Sequence, residues 1–530
     1  MSSQFSMKSY MKGALLLTVA ALIVKVLSAV YRVPFQNLVG DQGFYVYQQV
    51  YPFIALFVVW TSGGFAVAIS KMLAGTDDEL RRSGIIRTIF IYLTGLSLLF
   101  FMLLFFGANL LAELMGDSAL APLLRTGAFV TLCMPSLAVM KGAFQSRGRM
   151  EPVAYAQVFE QGVRVIFILA GTVIVMSMAS KSVYTAGNIA MLGTVIGQLA
   201  GVVLLIIYMR KHGQLCISSR FPLESWAMIK EVTVYSLSVS MSSLLLLTLQ
   251  LVDSFTVFSL LEGTGIAKLE AMELKGIYDR GQPLVQLGIV IASSFALAIV
   301  PLIAHRAKGG GRGEVPFIQL TYRASLLFGV AASLGLIIVM PYVNTLLFKT
   351  DALSNVLIVY VVQIVPLSII LTFTAILQGY GKLKVPTSLL LGAVLLKYIA
   401  NSILIPVIGV IGAAYASNLG LLVCAVSLMA YFKKVKSIRL APPHFYMKLS
   451  VASISMVFAV KTGEWVLAGL LSLSSSRLEA FIYSAILIPI GAIVFIWCIA
   501  RLRLLGTKEW FILPFGRRMA LYQLWLNRKK

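Results

Sequence analysis

The sequence predicts an all-α, polytopic membrane protein of about fourteen transmembrane helices, and three observations carry that expectation. Of its 530 residues, 59% are hydrophobic and only 12% charged, with no polar stretch long enough for a separate soluble domain. Apolar runs able to cross a bilayer core of about 30 Å, which takes roughly 20 residues, recur from end to end. Basic residues collect in alternate loops, as the positive-inside rule requires of a chain threaded back and forth through a membrane.

Taken in order, the spans are expected to begin near residues 13, 45, 86, 120, 152, 183, 225, 281, 316, 352, 385, 409, 444 and 478. The first lacks a small-residue cleavage signature and exceeds a signal-peptide core, so it is read as retained. One set of loops carries Arg81, Arg82 and Arg87; Lys141, Arg147 and Arg149; Arg210, Lys211 and Arg220; Arg306, Lys308 and Arg312; Lys382 and Lys384; and Lys433, Lys434, Lys436 and Arg439. The loops between, around Asp41, Glu113 to Asp117, and Glu262, Glu270 and Glu273, are poor in Lys and Arg or carry offsetting acids. A multi-pass protein of the plasma membrane with both termini cytoplasmic is expected.

Topology also accounts for the formal net charge of +24. The charge is scattered through short loops and forms no patch on a folded domain, so nucleic acid is not an expected partner. Cys133, Cys216, Cys424 and Cys498 stand far apart without a CxxC pair, and His212, His305 and His444 fall in loops beside basic residues. Neither a disulfide framework, a metal site nor a cofactor is expected.

Two halves of the chain resemble each other. Phe65-Ala-Val-Ala-Ile recurs as Phe295-Ala-Leu-Ala-Ile, a shift of about 230 residues, and the loop Gln145-Ser-Arg-Gly-Arg-Met-Glu-Pro-Val is echoed by Gln378-Gly-Tyr-Gly-Lys-Leu-Lys-Val-Pro, a shift of about 233. Each match joins spans six apart, and an even number keeps the orientation, so the repeat is parallel. The expected organisation is an N-terminal lobe over 1–221 (spans one to six), a C-terminal lobe over 222–440 (spans seven to twelve), and spans thirteen and fourteen over 441–503. A basic amphipathic tail over 504–530 suits the anionic inner leaflet, or else frays into the cytoplasm. Cargo is expected between the lobes near the midplane.

Charges inside spans are the candidate functional groups, because a charge at the bilayer centre costs about 2.5–3.5 kcal/mol on insertion scales and normally faces a wet cavity or a partner. Lys25 falls mid-span in the stretch from Lys12 to Asn37, with Arg32 seven residues on, so both can line nearly the same face. Either they meet an anion, or Lys25 snorkels and Arg32 sits near an end. Glu160 and Arg164 stand at i and i+4, where a self-contained ion pair is the simplest reading. Lys397 occupies the position that the repeat equates with Arg164. No carboxylate lies within one turn of it in sequence, leaving a cavity cation or a partner of Glu160 across the lobes. Arg280, in Tyr278-Asp-Arg-Gly-Gln-Pro, opens the eighth span and is expected to face outer water. Lys461 and Glu464 read as a satisfied pair. Pro34, Pro52, Pro135 and Pro366, with Gly63-Gly64, are expected to interrupt spans.

The YDRGQPLVQLG segment running to Pro301, the QSRGRMEP loop and the SGGFAVAISK ending of span two, set in two parallel halves, resemble the multidrug/oligosaccharidyl-lipid/polysaccharide (MOP) exporter superfamily. Within it the chain is similar to the polysaccharide-transporter branch, the group of stage V sporulation protein B and MurJ-type lipid II flippases. The resemblance implies two six-helix lobes working by alternating access on an undecaprenyl-pyrophosphate-linked glycan, whose pyrophosphate meets cationic cavity residues. It sets Lys25 at the position of a first-span arginine and Arg280 at that of the arginine opening span eight. A second first-span arginine falls on Tyr31, beside Arg32, and the second-span arginine has no counterpart in Leu56 to Trp60.

A flippase for a lipid-linked oligosaccharide, lipid II or another envelope polysaccharide precursor, is the function expected. Its substrate-binding candidates are Lys25, Arg32, Arg164, Lys397 and Arg280, with Glu160. Membrane lipids and cell-envelope synthesis enzymes are the further partners expected. The alternative is a cation-coupled multidrug exporter of the same superfamily, which calls for uncompensated acids, and only Glu160 is available in the lobes. An embedded glycosyltransferase would need acids or histidines in a sizeable outer loop, so an enzyme is not expected.

Overall fold

The computed structural model describes residues 7–178, 182–211, 225–290, 292–294, 314–382, 384–436, 438–470, 476–511 and 516–527. Among them every regular element is helical. The Phe295 motif, Pro301, His212, Cys216, Arg220, His305, Arg306, Lys308 and Arg312 lie outside the described residues.

Twelve stretches of the described residues are long and apolar enough to cross a membrane. The first, Leu16–Ala74, has 59 residues. As one straight helix it would reach about 88 Å, nearly three bilayer cores, so it holds more than one crossing. Tyr31 joins α1 (Met7–Val30) to α2 (Arg32–Val59), and the chain bends at Gly40, whose φ of +70° only glycine adopts freely. The expected eighth span leaves the described residues at 291 and from 295 onward.

The chain divides into two compact units, Met1–Asp279 and Arg280–Lys530. In the first, α2 runs into a wide π turn (Trp60–Phe65), followed by α3 (Ala66–Ala74), α4 (Glu79–Phe106), α5 (Ala108–Leu114), α6 (Ala121–Leu132), α7 (Met134–Ser146), α8 (Glu151–Ser177), α9 (Val183–Lys211), α10 (Ser225–Gly263) and α11 (Lys268–Asp279). The second holds α12 (Gly281–Gly288), α13 (Val315–Phe348), α14 (Ser354–Val361), α15 (Ile364–Gly379), α16 (Lys384–Ile408), α17 (Ile411–Lys436), α18 (Pro443–Leu470), α19 (Ser476–Arg501), α20 (Thr507–Trp510) and α21 (Gly516–Asn527). The expected repeat opens its second copy with α10, and α10 packs on α2, α3 and the π turn of the first unit.

The π turn is where Gly63-Gly64 loosens the second span. Gly64 lets α10 come close: a Cβ there would stand 2.9 Å from the Ser236 carbonyl oxygen, and Trp60 Nε1 donates to Ser236 Oγ at 3.1 Å. Around it Phe65, Ile69, Leu73, Ile89, Leu93, Met134 and Ala138 close one apolar core, while Leu137, Phe144, Val153 and Leu205 close a second between α7, α8 and α9. Pro135 and Pro366 open α7 and α15, each splitting a span in two, because a proline in the first turn lacks only a hydrogen bond that the helix start does not make. Pro52 lies inside α2, and Pro34 in its first turn.

The two matching loops have the same backbone. Gly148 and Gly381 adopt φ of +71° and +70°. Their N–H groups donate to Gln145 and Gln378 oxygens, both at 2.9 Å, and the next residues, Arg149 and Lys382, donate to Phe144 and Leu377 oxygens at 3.0 and 2.9 Å. This is a glycine-centred helix cap that closes α7 and α15 alike. Each loop is then tied to a helix start: Arg147 grips both carboxylate oxygens of Glu79 at 3.0 Å, and the Tyr380 hydroxyl donates to Glu314 Oε1 at 3.0 Å. Burial first, and then this bond, push the Tyr380 phenol above its ordinary pKa.

Candidate functional site

The first unit buries two guanidiniums on one tyrosine. Arg32, the first residue of α2, is fully buried with its Cζ 4.7 Å from the centroid of the Tyr51 ring; Arg164 of α8 places its Cζ 5.4 Å from the same ring. Arg164 Nη2 donates to the Tyr47 hydroxyl at 3.0 Å and, more weakly, to that of Tyr31 at 3.4 Å, and the two hydroxyls lie 2.7 Å apart. Phe35 closes the far side of Tyr47, with centroids 5.0 Å apart. Among the described residues neither arginine forms an ion pair, and Nε, Nη1 and Nη2 of Arg32 make no hydrogen bond. Cation–π contacts return about 2 kcal/mol each when desolvated, against a burial cost of several kcal/mol per ion. The cluster is short of an anion.

Glu160 is not the partner of Arg164. The expected i, i+4 pair is not formed, because Glu160 turns the other way and accepts from Lys141 Nζ of α7 at 3.3 Å and from Gln198 Nε2 of α9. Lys141, counted with the loop cations in the sequence, is fully buried and also donates to Ser62 Oγ of the π turn at 2.8 Å. The Glu160–Lys141 pair thus joins α7, α8, α9 and the π turn. A charge in the last turns of a span looks like loop in a hydropathy profile; the apolar Leu137 and Phe144 on either side of Lys141 are the signal that the helix continues past it. Arg82, another supposed loop cation, is buried as well and donates to the Leu73 carbonyl oxygen at 3.1 Å and to Ser146 Oγ.

Lys25 and Arg32 differ in burial: Arg32 is fully buried, whereas Lys25 is exposed on α1, a helix that packs against α8. In the second unit Lys397 is buried at 2% exposure on α16, against Gly420 of α17, where a Cβ would stand 3.6 Å from its own. Arg164 is seated the same way: a Cβ at Gly197 of α9 would stand 2.8 Å from the Cβ of Arg164. Arg280, expected in outer water, is fully buried, with Nη1 donating to Asn344 Oδ1 at 2.9 Å and Cζ 5.1 Å from the Phe348 ring centroid. Asn344 is fixed in turn by donating to the Ala352 carbonyl oxygen and Ser354 Oγ, both at 3.0 Å. Lys461 and Glu464 form the expected pair at 2.7 Å.

Comparison with known proteins agrees with this architecture. Residues 10–306 match the Polysaccharide biosynthesis protein family. The chain is 34% identical to the membrane protein YabM of Bacillus subtilis (strain 168), over 96% of each chain. It is 25% identical to the lipid II flippase MurJ of the same organism, over 94% of this chain and 97% of that one, and 25% identical to its stage V sporulation protein B, over 84% and 88%. The solved structure of a lipid II flippase MurJ in an inward closed conformation shares the fold at a TM-score of 0.70 and 16% identity, over 92% of this chain and 98% of that one. An inward-facing multidrug resistance MATE family transporter shares it at 0.57 and 15%, over 78% and 96%. A family match over more than half of the chain, and 34% identity along nearly all of it, place the protein in the polysaccharide biosynthesis protein family, as a multi-pass membrane protein.

Proposed function

We propose that the protein is a flippase for an undecaprenyl-pyrophosphate-linked oligosaccharide, lipid II or another cell-envelope precursor, carried across the cytoplasmic membrane by alternating access with both termini cytoplasmic. The observation that carries this reading is the Arg32/Arg164 pair on Tyr51, two buried cations short of an anion. Pyrophosphate supplies dense negative charge, and charge-assisted hydrogen bonds from Arg or Lys offset the hydration it loses. Exposed Lys25 is the group that first meets the head group, and the buried guanidiniums supply positive potential behind it. Arg280 and Lys397 supply the positive charge of the second unit. Glu160 acts through Lys141, which it neutralises. That assignment also speaks against the cation-coupled drug exporter, since the acid such an exporter needs is already bound by Lys141 and Gln198.

Liposomes carrying the purified chain and a fluorescent lipid-linked substrate test the reading. Lys25→Arg should keep part of the transport, Lys25→Ala should lose most of it at normal abundance in the membrane, and Lys25→Glu should be worse, because a carboxylate repels pyrophosphate in a low-dielectric site. Full transport by Lys25→Ala would remove Lys25 from cargo binding, and no transport by the unsubstituted chain across a panel of lipid-linked glycans would reject the flippase. Depletion in the source cell, with mass spectrometry of the accumulating lipid-linked intermediates, identifies the glycan.

A further inference from the structure

The chain does not fray after its last span. From Arg501 onward it carries eight basic residues and one acid, Glu509, and that acid is occupied at home: it caps the N–H of Gly506 at 2.7 Å and pairs with Arg323. The helix α21 is then held down along one side. Gln523 is buried and bridges Trp510 Nε1 at 2.6 Å and the Leu505 carbonyl oxygen at 3.1 Å. Asn527 Nδ2 donates to the Ala500 carbonyl oxygen at 3.1 Å, and Arg501 Nη1 to that of Leu526 at 3.3 Å. These bonds fix the C-terminal end of α21 against the last turn of α19, which is the end of a membrane span.

With Gly516, Ala520 and Gln523 facing the protein, the opposite face is settled by helical spacing. It presents Arg517 and Arg518 at its start, then Leu521 at 57% exposure, Leu524 at 47% and Trp525 at 67%, with the Tyr522 ring stacked on Trp525. Phe511, just before, is 59% exposed. A large apolar face pinned outward cannot join the core, and water is a poor solvent for it. An apolar centre with cations beside it, set at the end of a span, matches the interfacial layer of a bilayer. There aromatic and aliphatic side chains enter the acyl boundary while Lys and Arg meet phosphate.

We propose that α21 is a docking surface for anionic phospholipid, with Leu521, Leu524 and Trp525 inserted below the head groups and Arg517, Arg518 and Lys508 meeting them. The charge of the tail selects anionic lipid over a protein occupant, because α21 is hydrogen-bonded to the last turn of a span, where phosphate head groups would meet its arginines.

The test is depth measurement by nitroxide accessibility on the full chain in nanodiscs, with Leu521→Cys and Leu524→Cys labelled separately. The unsubstituted chain, whose described cysteines are buried, serves as the background. In nanodiscs containing phosphatidylglycerol both labels should be reached more by oxygen than by a polar nickel reagent. In phosphatidylcholine alone, or with Arg517→Gln and Arg518→Gln together, the nickel accessibility should rise several-fold. Labels that are water-accessible in every nanodisc, or shielded from both reagents as under a protein partner, overturn the proposal. So does a depth indifferent to lipid charge and to the arginines.

Discussion

The fifth and eleventh expected spans, α8 and α16, stand in the same place in the two copies of the repeat and solve the same problem with different charges. Both begin 233 residues apart, at Glu151 and Lys384, after loops with the same hydrogen bonds. At that shift Arg164 corresponds to Lys397, Glu160 to Ala393, and Lys141 to Thr374. The second copy therefore lacks both members of the ion pair found in the first and keeps the cation at the position of Arg164, Lys397. Acid and base are present together or absent together, while the cation against the glycine of the next helix is present in both. That contrast separates two roles that the spacing of Glu160 and Arg164 had merged: Glu160 belongs to Lys141, and Arg164 is free to serve something else.

The sharpest way to break this comparison is to remove the acid alone. Glu160→Gln leaves Lys141 buried and unpaired and should cost about 3–5 kcal/mol, seen as lost thermal stability or membrane abundance. Lys141→Thr with Glu160→Ala, which copies the second unit, should recover most of it. A double variant as unstable as the single would show that the pair is not a unit.

Next in size is Arg164. Arg164→Lys, again copying the second unit, keeps the charge but gives up the planar fork that holds Tyr47 over Tyr51, a loss of about 1.5–3 kcal/mol for hydrogen bonds to a charged group. Melting of purified protein checks it, and transport should survive in part, since Lys397 does without the fork.

Gly148→Ala and Gly381→Ala sharpen the comparison further. Each forces a Cβ into a left-handed conformation at a cost of about 1–2 kcal/mol. The two melting shifts should agree, because the turns agree. The smallest effect belongs to Arg147→Ala, which opens a partly exposed pair with Glu79 worth about 0.2–1 kcal/mol, and high salt should erase the difference.

What the sequence revealed follows from which forces are local. Hydropathy acts along the chain, so the all-helical membrane fold was legible, and Gln145 to Pro152 matches in sequence a loop that proves to have the same turn. The partners of buried charges were not legible, because they are chosen between helices. The i, i+4 rule knows only one helix, so it assigned Glu160 to Arg164 and overlooked a lysine 19 residues earlier that packing brings to 3.3 Å. Arg280 was assigned to outer water by its place at a span start, with no view of Asn344, 64 residues on.

The close approach at Gly64 bears on where the polypeptide can be cut and rejoined. A fragment ending near residue 221 would leave the donor of Trp60 and the bare backbone of the π turn uncovered until a second fragment delivered Ser236 and Ser240. A fragment ending after Asp279 brings that lid with it. Co-expressed halves divided at the second point should reassemble more readily than halves divided at the first, although the first is where the sequence repeat is expected to begin again. The boundary expected from the repeat and the boundary drawn by packing thus fall in different places along this chain, and α10 lies between the two.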